Sequence, residues 1–479
     1  RERDRHRARR APAAVPVHLS GPDVNALAAL LRRHGQEQLL RFWDELGDPE
    51  REQLAADVGQ VDLELTDELV ASLLEQGPGE GDLGEIEPPA AVRPGPEDVL
   101  AGRGMLAAGE VAVVIVAGGQ GTRLGFDGPK GCYPIGPVSD RSLFQIHAEK
   151  VAALGRRHGV SVPLYVMTSP QNHAETAAFF AEHDGFGVEK LRLFVQGEMP
   201  TVDLTSGRIL LSERGRVALS PDGHGGVIRA LDRSGALAEM SAGGIRTIFH
   251  LQVDNPLIAI GDPGFLGAHR RAGAEMSSKV VRKTDPAEKV GLVVVRDGRQ
   301  AMIEYSDLPE ELAARRSPDG GLELWAGSIA LHLIDVAFAR RLAAGEGRLP
   351  FHRAVKPVPF VDDQGYAVDP EEPNAVKFEQ FIFDAIPLAE RALVVETDRA
   401  TEFEPLKNAT GPASPETVRA RLSAVYAGWL EEAGVAVPRG ADGLPAHPIE
   451  ISPLVALDAA ELAARVDPAL DVSGPVLLS

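Results

Sequence analysis

The chain has 479 residues, enough for about three domains of ordinary size and a large buried core. Its 49 lysines and arginines against 70 aspartates and glutamates give a net charge of −21. That balance argues against bulk binding to nucleic acid or an anionic membrane, yet leaves room for a locally positive pocket. The single cysteine, Cys132, excludes an intrachain disulfide and fits a reducing, cytoplasmic setting. No apolar run approaches the roughly 20 residues of a membrane span, and no signal-peptide core follows the arginine-rich start.

Residues 1–16 read as a disordered tail of dense charge followed by Ala and Pro. From Asp23 the pattern turns helical: Val24, Leu27, Leu30 and Leu31, then Leu39, Leu40, Phe42, Trp43 and Leu46. Further helix is expected through Leu54–Val58 and Leu69–Leu74. A loop rich in Gly, Glu and Pro follows, from Gln76 to about Pro96. Residues 17–105 therefore read as a helical N-terminal region. Val111–Ala117 is a continuous β-branched apolar run ending in glycines, which suits a central strand buried on both faces. A helix over Leu143–Leu154, a strand over Leu164–Met167 and a helix around Ala174–His183 come next. Leu191–Val195, Thr247–Val253, Ser278–Val281 and Gly291–Val295 read as strands, and Ala389–Glu396 as a late core element. Strands alternating with helices predict an α/β sheet covered on both faces. Residues 405–479, proline-rich with short apolar runs, read as a small C-terminal domain.

The most informative string is Ala117-Gly118-Gly119-Gln120-Gly121-Thr122-Arg123-Leu124-Gly125, leaving the buried strand, with Pro129-Lys130-Gly131 after it. Glycines let main-chain N–H groups approach phosphate oxygens, and Arg123 and Lys130 supply cations. Ligands of open α/β sheets sit at the carboxyl ends of strands. Two familiar phosphate loops do not fit. The dinucleotide pattern needs glycine where Leu124 stands, and in the P-loop pattern the lysine follows its glycine, whereas Lys130 precedes one. Leu124, and the lack of an acidic residue closing a first strand–helix–strand unit about 20 residues after the loop, disfavour a nicotinamide oxidoreductase.

At these residues the chain resembles the eukaryotic-type UDP-sugar pyrophosphorylases, and within them most closely the UDP-N-acetylglucosamine pyrophosphorylases. The resemblance continues through Phe144-Gln145-Ile146, Met167-Thr168-Ser169, Gln196-Gly197, Pro221-Asp222-Gly223-His224-Gly225-Gly226 and Val253-Asp254-Asn255. It extends to Val280-Val281-Arg282-Lys283-Thr284, Glu304-Tyr305-Ser306, Ala375-Val376-Lys377-Phe378-Glu379, Pro405-Leu406-Lys407-Asn408 and Glu450-Ile451-Ser452-Pro453-Leu454. It implies a Rossmann-like nucleotide-diphosphosugar transferase fold with a mixed, mostly parallel central sheet. Residues 106–404 would form the catalytic nucleotidyltransferase domain. The implied substrates are UTP and a sugar 1-phosphate, the cofactor Mg²⁺, and the products a UDP-sugar and pyrophosphate. The implied state is a cytoplasmic monomer or weak homodimer.

Residue by residue, Arg123 and Lys130 match positions that hold UTP phosphates, and Gly118, Gly119, Gly121 and Thr122 match the loop around the nucleotide. Gln196 and Gly223 match uracil contacts, Gln196 through an amide suited to uracil's donor and acceptor edges. Asp254 matches a nucleotide-binding aspartate that ligates Mg²⁺. Lys377 and Lys407 match lysines near the sugar phosphate and the pyrophosphate end, and Glu304 a carboxylate on sugar hydroxyls. His224 stands where the closest relatives carry asparagine, and Ser328, in Trp325-Ala326-Gly327-Ser328-Ile329, replaces a sugar-side asparagine. These departures keep glucose 1-phosphate or a broad sugar range open beside N-acetylglucosamine 1-phosphate. A non-catalytic UTP or UDP-sugar sensor would keep Gly118–Gly121 and Gln196 but lose Lys130, Asp254 or Lys377, and all three are present. Cys132 has no evident base partner, and His147, His173 and His250 lack metal spacing.

Overall fold

The apolar run after Glu110 forms strand β1 (Val111–Val116), whose residues alternate between two cores. Val111, Val113 and Ile115 enter one, Ala112 and Val114 the other. The computed structural model describes residues 23–75, 84–345 and 348–479, so the tail expected over 1–16 lies outside the described residues, as does much of the loop after Gln76. The chain divides into two compact units. The larger takes residues 81–197, 223–350 and 380–479, and the smaller 1–80, 198–222 and 351–379.

In the larger unit the strands after β1 are β2 (Leu164–Thr168), β3 (Leu191–Val195), β4 (Thr247–Gln252), β5 (Met276–Arg282), β6 (Leu292–Arg296), β7 (Arg299–Ile303), β8 (Ala326–Asp335) and β9 (Ala392–Glu396). With Ile86–Glu87 and Ala91–Val92 they make an 11-stranded mixed sheet. Its main path runs from Ala91–Val92 through β9, β5, β8, β4, β1 and β2 to β3. Pairings β4–β1, β1–β2, β2–β3 and β5–β9 are parallel, whereas β8 is antiparallel to both β4 and β5. The expected strands from Leu164 to Val295 and the element at Ala389–Glu396 are all present. The sequence reading has no strand at 326–335, because its opening Ala-Gly-Ser lacks the β-branched residues that advertise one. The two short strands at 86–92 also fall inside the stretch read as helical.

Helices α1 (Pro96–Ala107), α2 (Leu143–His158), α3 (Pro263–Ala272) and α4 (Pro415–Glu432) pack around this sheet. α1 and α3 meet backbone to backbone. A Cβ on Gly102 would lie 1.9 Å from the carbonyl oxygen of Pro263, and one on Gly267 1.7 Å from that of Asp98. Residues 405–479 belong to the larger unit, anchored by Glu450 on the strand Ile449–Ile451. Its Oε2 accepts from the N–H groups of Val138 and Ser139 at 2.8 and 2.7 Å, and its Oε1 from Arg141 at 2.9 Å.

The smaller unit is helical at first, with Val24–Arg33, Asp48–Gln60 and Leu63–Glu75. Asp23 caps the first by accepting from the N–H of Asn25 at 3.0 Å, which is why the helix begins where the periodicity does. These helices share a core of Leu27, Leu31, Leu39 and Leu54 with Val202, Val376 and Phe378. The last three lie on a sheet of His352–Lys356, Ala375–Glu379 and Val202–Asp203.

Two outcomes test this packing. Gly267→Leu should lower stability by about 3 kcal/mol or more, read as the urea unfolding midpoint, because the clash is with backbone that cannot rotate away. An unchanged midpoint would refute the contact. Burial also drives His147 and His332 down to about 3 and His269 to about 4. Their neutral forms belong to the folded state, whereas the unfolded chain takes up protons near pH 6.5. The stability they contribute is therefore whole above about pH 6.5 and is lost as pH falls toward 4. The urea midpoint should drop between pH 7 and pH 5, and drop less in His269→Asn. An equal drop in both proteins would remove His269 from the effect.

Candidate active site

The glycine loop is folded against the ends of β1 and β2. The Ala117 N–H donates to the carbonyl of Met167 at 2.8 Å, carrying the β1–β2 pairing one residue past the strand. Gly121 N–H donates to Gly128 at 2.9 Å and Lys130 N–H to Gly119 at 3.1 Å, closing the loop on itself. Gly118 lacks a side chain for a steric reason: a Cβ there would lie 2.5 Å from Oε1 of Gln196, which is buried. The loop and the expected uracil contact thus touch. At Gly131 a Cβ would fall 2.2 Å from the Phe144 ring, so the Pro-Lys-Gly turn and the Phe-Gln-Ile segment constrain each other. Asn172, which the sequence reading did not single out, ties the loop down. Its Nδ2 donates to the carbonyls of Ala117 at 2.9 Å and Gly119 at 3.4 Å, and its Oδ1 accepts from the N–H of Ser169 at 2.8 Å. From sequence alone it looks like any turn asparagine.

Beyond the end of β4 the chain opens a cavity of about 140 Å³ lined by His224, Asp254, Glu304, Ser328 and Lys407, together with Lys289. Five residues singled out in sequence, spread from His224 to Lys407, therefore meet in one place. Lys289 is an addition, a lone lysine between two strands that gives no signal in sequence. The Lys130 Nζ donates to Asp254 Oδ2 at 3.3 Å, with 18 % and 13 % of the two side chains exposed. That pair brings the glycine loop to the cavity. The N–H of Leu406 donates to the carbonyl of Asp254 at 2.8 Å, which brings Lys407 beside it. Asn255, buried next to it, donates to the carbonyl of Glu402 at 2.9 Å and holds the turn.

His224 stacks on Phe381, with ring centroids 5.2 Å apart, and its Nδ1 accepts from the N–H of Ile382 at 3.2 Å. An accepting Nδ1 in the neutral ring leaves the proton on Nε2. Gly223, just before it, has φ +81°, a backbone that favours glycine. Ser328 Oγ accepts from the N–H of Ala330 at 3.2 Å, and Ala330 sits at φ +57° inside β8. The pairing of β5 with β8 slips opposite this point, between Ser278 and Val280. A strained residue at a bulge beside a cavity re-aims neighbouring side chains, and here Ser328, Ala330 and His332 all line the cavity.

Other expected residues are placed differently. Thr122 and Arg123 are exposed on the turn Thr122–Leu124, and Arg123 has no ion-pair partner among the described residues. Lys377 is half-buried in the smaller unit, on Ala375–Glu379 opposite Ala354. Cys132 is half-buried, and burial, with Glu175 adding to it, pushes its thiol up to about 12, so it stays protonated and is no nucleophile. His147 bonds the carbonyl of Val253 and His173 the Thr168 hydroxyl, while His250 is enclosed in the sheet. Among the described residues no group of three or more His, Cys, Asp or Glu side chains could hold a metal. Asp254 alone does fit magnesium, which is commonly held by one or two carboxylates plus substrate phosphates and water. Only one of its two oxygens is engaged by Lys130. No helix among the described residues is long and apolar enough to cross a membrane.

Comparison with known proteins places the chain in a family. Residues 94–412 match the family described as UTP–glucose-1-phosphate uridylyltransferase. The chain is 42 % identical to a UDP-N-acetylglucosamine pyrophosphorylase of Saccharomyces cerevisiae over 69 % of its length and 72 % of the yeast protein's. It is 37 % identical to the human UDP-N-acetylhexosamine pyrophosphorylase-like protein 1, over 85 % of both chains. A crystal structure of the uridine diphosphate N-acetylglucosamine pyrophosphorylase of Trypanosoma brucei superimposes with a TM-score of 0.80 at 26 % identity, covering 96 % of this chain and 99 % of that one. By this match across about two thirds of its length, and by its identity with the yeast enzyme, the chain belongs to the family described as UTP–glucose-1-phosphate uridylyltransferase.

Proposed function

We propose that this enzyme is a uridylyltransferase that joins UTP and a sugar 1-phosphate, and that the sugar is N-acetylglucosamine. The observation that carries the reading is the Lys130–Asp254 pair, which ties the glycine loop to the cavity lined by His224, Glu304, Ser328 and Lys407. A phosphate oxygen of the sugar 1-phosphate attacks the α-phosphorus of UTP. A new P–O bond forms there as the bond to the β-phosphate bridging oxygen breaks, and pyrophosphate leaves. Both reactants are polyanions, so the chain's task is to hold them in line and offset their charge.

In this reading main-chain N–H groups of the Gly118–Thr122 loop other than that of Gly121, which Gly128 already engages, hold the triphosphate with Arg123 and Lys130, and Gln196 and Gly223 hold uracil. Lys377 and Lys407 bind phosphates at the sugar and pyrophosphate ends respectively, Lys377 on the strength of its motif. His224 donates from Nε2 toward a sugar or phosphate oxygen, and Glu304 and Ser328 take sugar hydroxyls. The family is generally dependent on a divalent metal, and Asp254 would hold Mg²⁺, which supplies charge neutralisation on the phosphates when bound. A reducing, cytosolic setting fits the single cysteine. The relatives' names support N-acetylglucosamine. His224 and Ser328 favour a second reading, a glucose or broad-range enzyme, because both change the hydrogen bonds available to the sugar.

Turnover against a panel of sugar 1-phosphates, followed as UTP- and Mg²⁺-dependent pyrophosphate release, tests the function. No release with any of them would sink it. Lys130→Ala should lower kcat by about 100- to 1000-fold in a protein that still folds, with a lowered melting temperature because Asp254 loses its buried partner. Retained kcat would take Lys130 out of the chemistry. Ser328→Asn should raise kcat/KM for N-acetylglucosamine 1-phosphate over glucose 1-phosphate by about tenfold. A ratio that does not move would mean Ser328 does not read the sugar.

A further inference from the structure

A second cavity, of about 700 Å³, lies in the larger unit apart from the catalytic one. Its walls combine an apolar floor, with Leu106, Leu154, Leu257, Leu422, Trp429 and Ile451 contributed by α1, α2, the loop after β4, α4 and the C-terminal strand, and a set of charged side chains. Its volume and lining suit a small organic ligand. The charges around it are unevenly satisfied. Asp262 and Glu402 each lie 2.7 Å from the Lys279 Nζ, and Asp458 and Glu461 both pair with Arg157. All four carboxylates lining the cavity are thus engaged by cations.

Two cations are left over. Arg103, exposed on α1, has no carboxylate partner among the described residues. Lys150 on α2 donates only to the carbonyls of Pro256 at 2.5 Å and Ile258 at 2.8 Å, so one of its three N–H groups carries no protein partner. Burial pulls Lys150 down to about 7, against an opposing pull from Glu402, so an anion arriving beside it would restore its charge. We propose that this cavity is an effector site for an organic monoanion with an apolar body, its charge taken by Lys150 and Arg103. The route to the catalytic cavity is short. The turn that places Asp254 and Asn255 there continues as Pro256–Pro263, the wall of the second cavity and the segment Lys150 holds. The binding site stands independently of the uridylyltransferase reading, whereas its effector role rests on that reading.

The probe is 8-anilinonaphthalene-1-sulfonate, an aromatic monoanion, titrated by fluorescence into the full chain. One saturable site that UTP does not displace is expected. Ala460→Trp, at the exposed rim of the cavity, should weaken the dye about tenfold, Arg103→Ala about threefold and Lys150→Met about tenfold. Saturating dye should shift the dissociation constant of UTP, measured by calorimetry, at least about threefold. The site is overturned if the dye does not saturate, if UTP displaces it, or if a folded Ala460→Trp protein, judged by its melting temperature, binds as the parent does. Ala460→Trp and Arg103→Ala keep the test decisive should Lys150→Met fail to fold. A filled site that leaves UTP affinity unmoved overturns the effector role. UTP that fails to bind the dye-free protein would instead refute the proposed function while leaving the dye result standing.

Discussion

The contact between Lys130 and Asp254 joins the two segments to which the proposed function assigns the phosphates, the glycine loop after β1 and the turn after β4. Both side chains are mostly buried, so each charge would be costly alone, and their attraction offsets much of that cost. The pair also keeps a small cavity from presenting an uncompensated charge before substrate arrives. In the proposed reading a substrate phosphate would compete for the lysine and a metal for the carboxylate, so that one ion pair would be exchanged for two. An acidic protein can in this way bind two polyanions: its net charge of −21 is distributed, whereas the cations near the cavity, Lys130, Lys289 and Lys407, are concentrated.

The sheet supplies the rest of the geometry. β4 and β1 run parallel, so their carboxyl ends, and with them Asp254 and Gly118, lie on the same edge. β8 runs against both its neighbours and pushes its irregular stretch, Ser328 to His332, into the cavity. Its left-handed Ala330 is a cost borne by the packing around it, and the side chains it aims are those on which the sugar-side readings turn.

How much of this could be seen beforehand follows from which interactions are local. The strands around Val111, Leu164, Leu191 and Thr247 were legible because burial on both faces demands unbroken apolar runs. The glycine loop was legible as a tight turn leaving β1 because glycines at fixed offsets have a geometric cause. β8 was not, since its pairing partners lie about 50 and 80 residues upstream and its first residues carry no β preference. Asn172 and Lys289 were equally silent: each owes its position to segments distant in sequence. The same holds for the strands Val202–Asp203 and Ala375–Glu379, which join helices that begin at Val24. Composition marks where a chain changes character, but it cannot announce that segments so far apart share one core. Lys377 shows the limit from the other side, for its motif named it without any local cue to its surroundings.

Cys132 carries a practical corollary. The chain holds one thiol, and its surroundings keep that thiol in the unreactive protonated state at neutral pH. Maleimide or nitroxide reagents would therefore find almost no native target, so a cysteine introduced at a chosen surface position becomes a unique attachment point. Distances between labelled positions could then be followed in solution without first stripping the protein of its own sulfhydryl chemistry.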